Sequence, residues 1–333
     1  MSVDVAGLVA QARQGRPRAV ARLITFVEDA HPALRAVLAA LAQHTGRAAV
    51  IGLTGPPGVG KSTTTSALIG GFRQRGYRVG VLAVDPSSPF SGGALLGDRI
   101  RMQEHGLDAE VYIRSMATRG HLGGLARSTP QALRVLDAAG CDVVLIETVG
   151  VGQSEIEVAA LADTTIVLLA PGMGDGVQAA KAGILEVGDV FVVNKADRDG
   201  AAATARDLRQ MIAQGQRREP GGWRPPVVTT VASAGTGIDA VLEALDAHRA
   251  WLMSVDELDD QATDGLSGRR RRRAAGEIEA ITLAELRNRI GYLRPGRRLN
   301  DLADDVVGGR IDPYAAADLL LAALATGANS KQS

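Results

Sequence analysis

Residues 52–63 read GLTGPPGVGKST, directly after the apolar run AAVI and running into TTTSALIGGF from Thr63, a stretch compatible with helix. Gly55, four further residues, then Gly60, Lys61 and Ser62 form the spacing G-x-x-x-x-G-K-S between a strand and a helix, the context in which this pattern cradles phosphate. Glycines let successive backbone N–H groups turn inward, and the following helix adds the positive end of its dipole. Gly55, Pro56, Pro57, Gly58, Val59, Gly60, Lys61, Ser62 and Thr63 are therefore expected to wrap the phosphates of a nucleotide. Lys61 is expected to reach the β and γ phosphates, and the Ser62 hydroxyl to complete a Mg²⁺ shell.

A loop of this kind needs a sheet behind it. From residue 48 onward short β-branched runs recur: AAVIGLT, YRVGVLAVD, AEVYIRS, DVVLIET, TTIVLLAP, DVFVVNK and PVVTTVAS, with helix-compatible stretches between most of them. Near-continuous apolar strands suit a sheet covered on both faces. Residues 47–252 are thus expected to form an α/β domain, a doubly wound and mostly parallel sheet with ligands at the strand C-terminal ends. Residues 1–46 show helical periodicity through Leu8, Val9 and Ala12, then Val20, Leu23, Ile24 and Val27, then Leu34, Val37, Leu38 and Leu41, and predict an N-terminal helical region. Residues 253–333 carry the run Arg269 to Arg273, read as a solvated helix face, and the helix-like stretches EIEAITLAELRNRIGYL and PYAAADLLLAALA. These are too few apolar helices for a separate core, so burial on the main domain or across a two-fold interface is expected.

Composition narrows the classes of function. A chain of 333 residues with 46% apolar and 22% charged content can bury one sizeable core and carry a smaller appendage. Its 37 basic and 37 acidic side chains cancel, so no global field concentrates polyanions and no nucleic-acid partner is expected. No stretch approaches the roughly 18 uninterrupted apolar residues of a membrane span. The N-terminus MSVDVAGLVAQARQGR lacks the arrangement of a secretory signal, and a cytoplasmic protein without a membrane partner is expected. The single cysteine, Cys141, stands in the apolar run CDVVLI and reads as a buried thiol.

The base is read further along the chain. Asn194 to Asp197 spell NKAD after the strand-like DVFVV. An aspartate there can accept from the guanine N1–H and exocyclic amine together, whereas adenine would set a lone pair against the carboxylate. A site built for donors rejects an analogue lacking them by roughly 10⁴ or more. Asn194 fits a contact to the base edge, and the Lys195 stem is expected to lie along the base plane. Ser233 and Ala234, in VASAGTG, suggest a second loop under the base. Between loop and base motif lie Asp85, ending VGVLAVD; Asp98, in GGALLGDRIRM; and Glu147, ending DVVLIE before Thr148, Val149 and Gly150. Carboxylates at strand ends near such a loop hold Mg²⁺ directly or through water, and the length of Glu147 suggests the water-mediated role. The Gly150 N–H is placed to sense a γ phosphate. No glutamine follows Gly150 directly, Gln153 lying three residues on, so intrinsic hydrolysis is expected to be slow.

Taken in order, GPPGVGKST, AVDPSSPFSGGALLGDRIRM, RSMATRGHLGGLA, IETVGVGQSE and NKAD resemble the MeaB/ArgK family of P-loop GTPases, G-protein chaperones of adenosylcobalamin-dependent acyl-CoA mutases. The resemblance runs from the N-terminal helices to about residue 325 and is least distinct in the C-terminal part. It implies Mg²⁺-dependent GTP hydrolysis to GDP, a homodimer joined through C-terminal helices, and a role in loading and protecting a mutase of the methylmalonyl-CoA mutase type. It also gives PGMGDGVQAAKAG the sense of a switch loop that answers to the mutase. On the residues themselves, Asp175, Gln178 and Lys181 of this loop could swing toward the phosphates, with Lys181 the expected cation for catalysis. Two other readings stand beside it. A metal-centre maturation GTPase often carries Cys/His clusters, but the five histidines are scattered and there is one cysteine. A kinase acting on a protein or transport component would normally select ATP, against which NKAD argues.

Overall fold

The computed structural model describes residues 3–85, 103–117, 128–148, 154–172, 184–215, 221–259, 262–292 and 298–329. The seven β-branched runs are the seven strands of one parallel sheet: β1 Ala49–Thr54, β2 Val79–Asp85, β3 Val111–Ala117, β4 Val143–Thr148, β5 Thr164–Leu169, β6 Val190–Val193 and β7 Val227–Thr229. Their order is β3-β2-β4-β1-β5-β6-β7. After β1 the chain builds leftward as far as β3, returns to β4 beside β1, and then crosses to β5 on the other flank. The reversal at β1 opens a crevice beyond the strand C-termini, where ligands of doubly wound sheets bind.

Successive strand residues point to opposite faces, and the two faces have different cover. Helices α1 Val5–Arg13, α2 Pro17–Glu28, α3 Leu34–Leu41 and α5 Thr129–Ala138 pack on one side, with Leu23, Val37 and Leu41 meeting Leu82, Val84, Val144 and Ile146. On the other side α4 Lys61–Gln74 and α9 Ile238–Leu258 cover Leu53, Val81, Val143 and Leu145. Along β4, residues 144 and 146 face the first layer while 143 and 145 face the second. By this alternation Glu147 comes out on the α4 side, over the phosphate-loop helix. Two shorter helices, α6 Ser154–Leu161 and α7 Ile184–Val187, follow β4 and β5. Helix α8 Ala201–Gly215 covers β6 through Ala205 and Leu208 against Phe191 and Val193.

Contacts divide the chain into one unit of residues 1–271 and another of residues 272–333. Helix α10, Leu266–Tyr292, starts in the first, while α11 Arg298–Val307 and α12 Pro313–Asn329 belong to the second. The arginine run is not simply a solvated face. Arg269 forms a two-pronged pair with Asp189, each N···O distance 2.8 Å, and donates to the Asp163 carbonyl at 3.2 Å. Arg270 donates to Ala48 O at 3.0 Å and to the Asp163 carboxylate at 3.2 Å. Asp163 and Asp189 sit at the N-terminal ends of β5 and β6, nearly buried, so they need cationic partners. The first two arginines form a latch between the root of α10 and the base of the sheet.

Candidate nucleotide site

The loop after β1 is shaped by glycines that nothing else could replace. Gly55 has φ 141°, and a Cβ there would run into the Leu168 carbonyl of the neighbouring β5. Gly60 has φ 97°, and a Cβ there would strike the Asn194 amide. Inside the ring these residues make, Lys61 is 8% exposed and its Nζ donates to Gly55 O at 2.8 Å and Pro56 O at 3.1 Å. The ammonium thus lies within the loop at the start of α4, among the groups that the sequence pattern assigns to phosphate. Thr63 is exposed and Val59 buried.

Glu147 stands opposite the first turn of α4, its strand aligned with Leu53 on one side and Ala83 on the other. It is 3% exposed, and both oxygens are engaged: Ser62 Oγ donates to Oε1 at 2.7 Å and Thr65 Oγ1 to Oε2 at 2.8 Å. Sequence reasoning paired Glu147 with the metal and missed Thr65. The three-residue step from Ser62, which puts both hydroxyls on one helix face, was the available signal. Ser62 and Glu147 together suit a divalent cation held mainly by phosphate oxygens and water, since a serine hydroxyl that donates to a carboxylate keeps its lone pairs for a metal. Among the described residues no three His, Cys, Asp or Glu side chains converge as an all-protein metal site. The Asp85 backbone ends β2 beside β4, and its side chain lies outside the described residues, as do Asp98, Gly150, Gln153 and the loop residues 173–183 with Lys181.

The NKAD segment is knitted to the phosphate loop. The structure gives Asn194 a clamping role that the sequence did not show. Its side chain is buried; Nδ2 donates to Val59 O at 2.9 Å, and Oδ1 accepts from Thr230 Oγ1 at 3.1 Å and Ala232 N at 3.0 Å. It therefore ties three loops together from beneath. Lys195 takes a left-handed φ of 58° and lays its stem across the phosphate loop, Nζ donating to Gly58 O at 2.5 Å. The Ala196 N–H to Thr230 O bond, 2.9 Å, adds a backbone tie. Asp197 is exposed, and among the described residues its carboxylate has no hydrogen-bond partner, so it is available to a ligand's donors. Ser233 and Ala234 are exposed on the short 3₁₀ turn Ala232–Ala234 that Asn194 holds in place.

At the opposite end of the sheet, by the N-termini of β5 and β6, His248 is fully buried. Its Nδ1 lies 2.9 Å from Thr164 Oγ1 and its Nε2 3.3 Å from Asp189 Oδ1. Burial holds its pKa down to about 4, because Asp189, which favours the charged form, is shared with Arg269. Burial likewise pushes the Cys141 thiol up, making it an inert core residue. A cavity of about 510 Å³ also opens at this end, over Ile51, Phe72, Val143 and Leu245. None of the phosphate-loop or NKAD residues lines it. Among the described residues no helix is long and apolar enough to cross a membrane.

Relatives share this arrangement over long stretches. A protein of Pyrococcus abyssi whose name assigns it as a GTPase by inference is 44% identical over 326 residues, covering 98% of both chains. The mouse protein named methylmalonic aciduria type A homolog, mitochondrial, is 37% identical over 261 residues, 74% of this chain and 63% of that one. A solved structure named LAO/AO transport system kinase superposes with a TM-score of 0.69 at 27% identity, covering 96% and 98% of the two chains. The model of the family described as methylmalonyl-CoA mutase-associated GTPase MeaB matches residues 20–291. With its phosphate loop, carboxylate and NKAD segment assembled at one end of a parallel sheet, this chain belongs to the MeaB family of P-loop GTPases.

Proposed function

We propose that this chain is a Mg²⁺-dependent GTPase that serves as a chaperone of an adenosylcobalamin-dependent acyl-CoA mutase of the methylmalonyl-CoA mutase type, gating cofactor loading and protecting the mutase. The observation that carries the nucleotide part is the Asn194 clamp, which makes the phosphate loop, the NKAD segment and the 232–234 turn one unit with the Asp197 carboxylate open beside it. The mutase part is supported by the family's description and by the name of the mouse relative.

In this reading Gly55 to Thr63 bind the phosphates through backbone N–H groups, and Lys61 neutralises charge that builds in phosphoryl transfer. Asp197 pairs with guanine, and Ser233 and Ala234 lie under the base. Ser62 with Glu147, joined by Asp85 and Asp98, would hold the magnesium ion, which supplies charge neutralisation at the phosphates. Gly150 reads the γ phosphate. Lys181 completes the site when a partner is bound, since a positioned cation contributes on the order of 10³-fold to phosphoryl transfer. A homodimer through the C-terminal helices fits their apolar exposure: Ile278, Ile281, Leu283 and Leu286 on α10 and Leu319 and Leu321 on α12 are all more than 40% exposed. The kinase name of the solved relative does not carry over, since the Asp197 carboxylate favours guanine over the adenine of ATP.

The test is GTP turnover with and without the cognate mutase, for wild type, Lys61→Ala and Lys181→Ala. Stimulation of wild type, its loss in Lys181→Ala and near-zero turnover in Lys61→Ala are expected. A mutase that neither binds nor stimulates the wild-type protein refutes the chaperone reading.

A further inference from the structure

Glu147 has one rotatable bond more than an aspartate in its place would have, yet its carboxylate is held at both oxygens. Ser62 and Thr65 lie three residues apart on α4, so one turn of one helix supplies both donors, at 2.7 and 2.8 Å. Thr65 is fully buried, and its Oγ1 also lies 3.1 Å from the Lys61 carbonyl. A hydroxyl has one hydrogen, and the shorter, charge-assisted bond to the carboxylate is the stronger claim on it.

We infer that Thr65 is a positioning residue for cation-assisted GTP hydrolysis. By gripping Oε2 it sets the Glu147 carboxylate so that Oε1 faces Ser62. The Ser62 hydroxyl then donates inward to Glu147 and presents its lone pairs to the cation. Thr65 itself touches neither nucleotide nor metal; it acts through Glu147. This rests on the GTPase reading above.

A hydroxyl that merely stabilised the fold would affect nucleotide binding equally with and without metal. The experiment is therefore calorimetry of GDP binding to the full chain in magnesium and in EDTA, for wild type, Thr65→Val and Thr65→Ser, with kcat and KM for GTP alongside. Wild type is expected to bind more tightly in magnesium. Thr65→Val is expected to lose about 10-fold of that magnesium-dependent gain, the effect of one hydrogen bond to a charged group, with its EDTA affinity unchanged. Its kcat falls while KM holds, and Thr65→Ser restores both readouts. An equal loss in magnesium and EDTA, or an intact magnesium gain in Thr65→Val, overturns the inference. So does a folded Thr65→Ser that fails to restore the gain, which decides the matter even if Thr65→Val does not fold. Wild type that binds GDP indifferently to magnesium also overturns it, whereas wild type that binds no GDP defeats the GTPase reading itself.

Discussion

His248 ties stability to pH in a way that can be worked through. In the unfolded chain its imidazole titrates near 6.5, while in the folded protein burial holds it to about 4. Between these values the unfolded state binds more protons, so stability is fully present above about pH 6.5 and is lost as pH falls toward 4. Integrating that difference from pH 7 down to pH 4 gives a loss of about 3 kcal/mol. The structure says why the proton is unwelcome: the ring is fully buried, tilted against Trp223 with ring centroids 4.7 Å apart and stacked with Trp251 at 5.7 Å, and Asp189 is already paired with Arg269. The perturbation is His248→Gln, which removes the titrating group and keeps polar atoms near Thr164. The assay is urea unfolding from pH 4 to pH 8. The variant loses stability overall, but the wild-type advantage over it is expected to shrink by about 3 kcal/mol on acidification. If the two proteins change in parallel with pH, His248 is not held neutral by its surroundings and the argument fails.

Three further outcomes bear on the nucleotide site and the tail. Because the Asp197 carboxylate is open to two guanine donors, GDP is expected to bind roughly 10⁴-fold more tightly than ADP, and Asp197→Asn to lose most of that margin in calorimetry; comparable affinities in wild type refute the guanine pairing. A chain ending at Arg271 keeps the arginine latch, and is expected to stay folded with wild-type GDP affinity and to sediment as a monomer; a dimer of that length places the interface elsewhere. Ending at Ser267 instead strips Asp163 and Asp189 of their arginines and is expected to cost about 3 kcal/mol or more of stability, read by urea unfolding.

What the sequence determined by itself was whatever local spacing can encode. The seven strands are seven β-branched runs, because residues covered on both faces must be apolar throughout. The phosphate loop was legible because glycine, lysine and serine at fixed offsets between strand and helix have one geometric use. The helix Arg298–Val307 was legible too, since Leu299, Leu302, Ala303 and Val306 recur at helical spacing, but it was overlooked between two longer apolar stretches. Tertiary structure decided what depends on strand order. Placing β4 beside β1 brings Glu147 to Ser62 and Thr65, more than 80 residues away in sequence, and gives Thr65 a role that a threonine in KSTTT does not announce. Placing β6 beyond β5 gives Asn194 a clamp across residues 59, 230 and 232 that its place in NKAD does not announce. The same holds for the arginines. A basic run is ordinarily a solvated face, and only the burial of Asp163 and Asp189 at the foot of the sheet makes Arg269 and Arg270 a latch, because a carboxylate removed from water must find its partner wherever the fold supplies one.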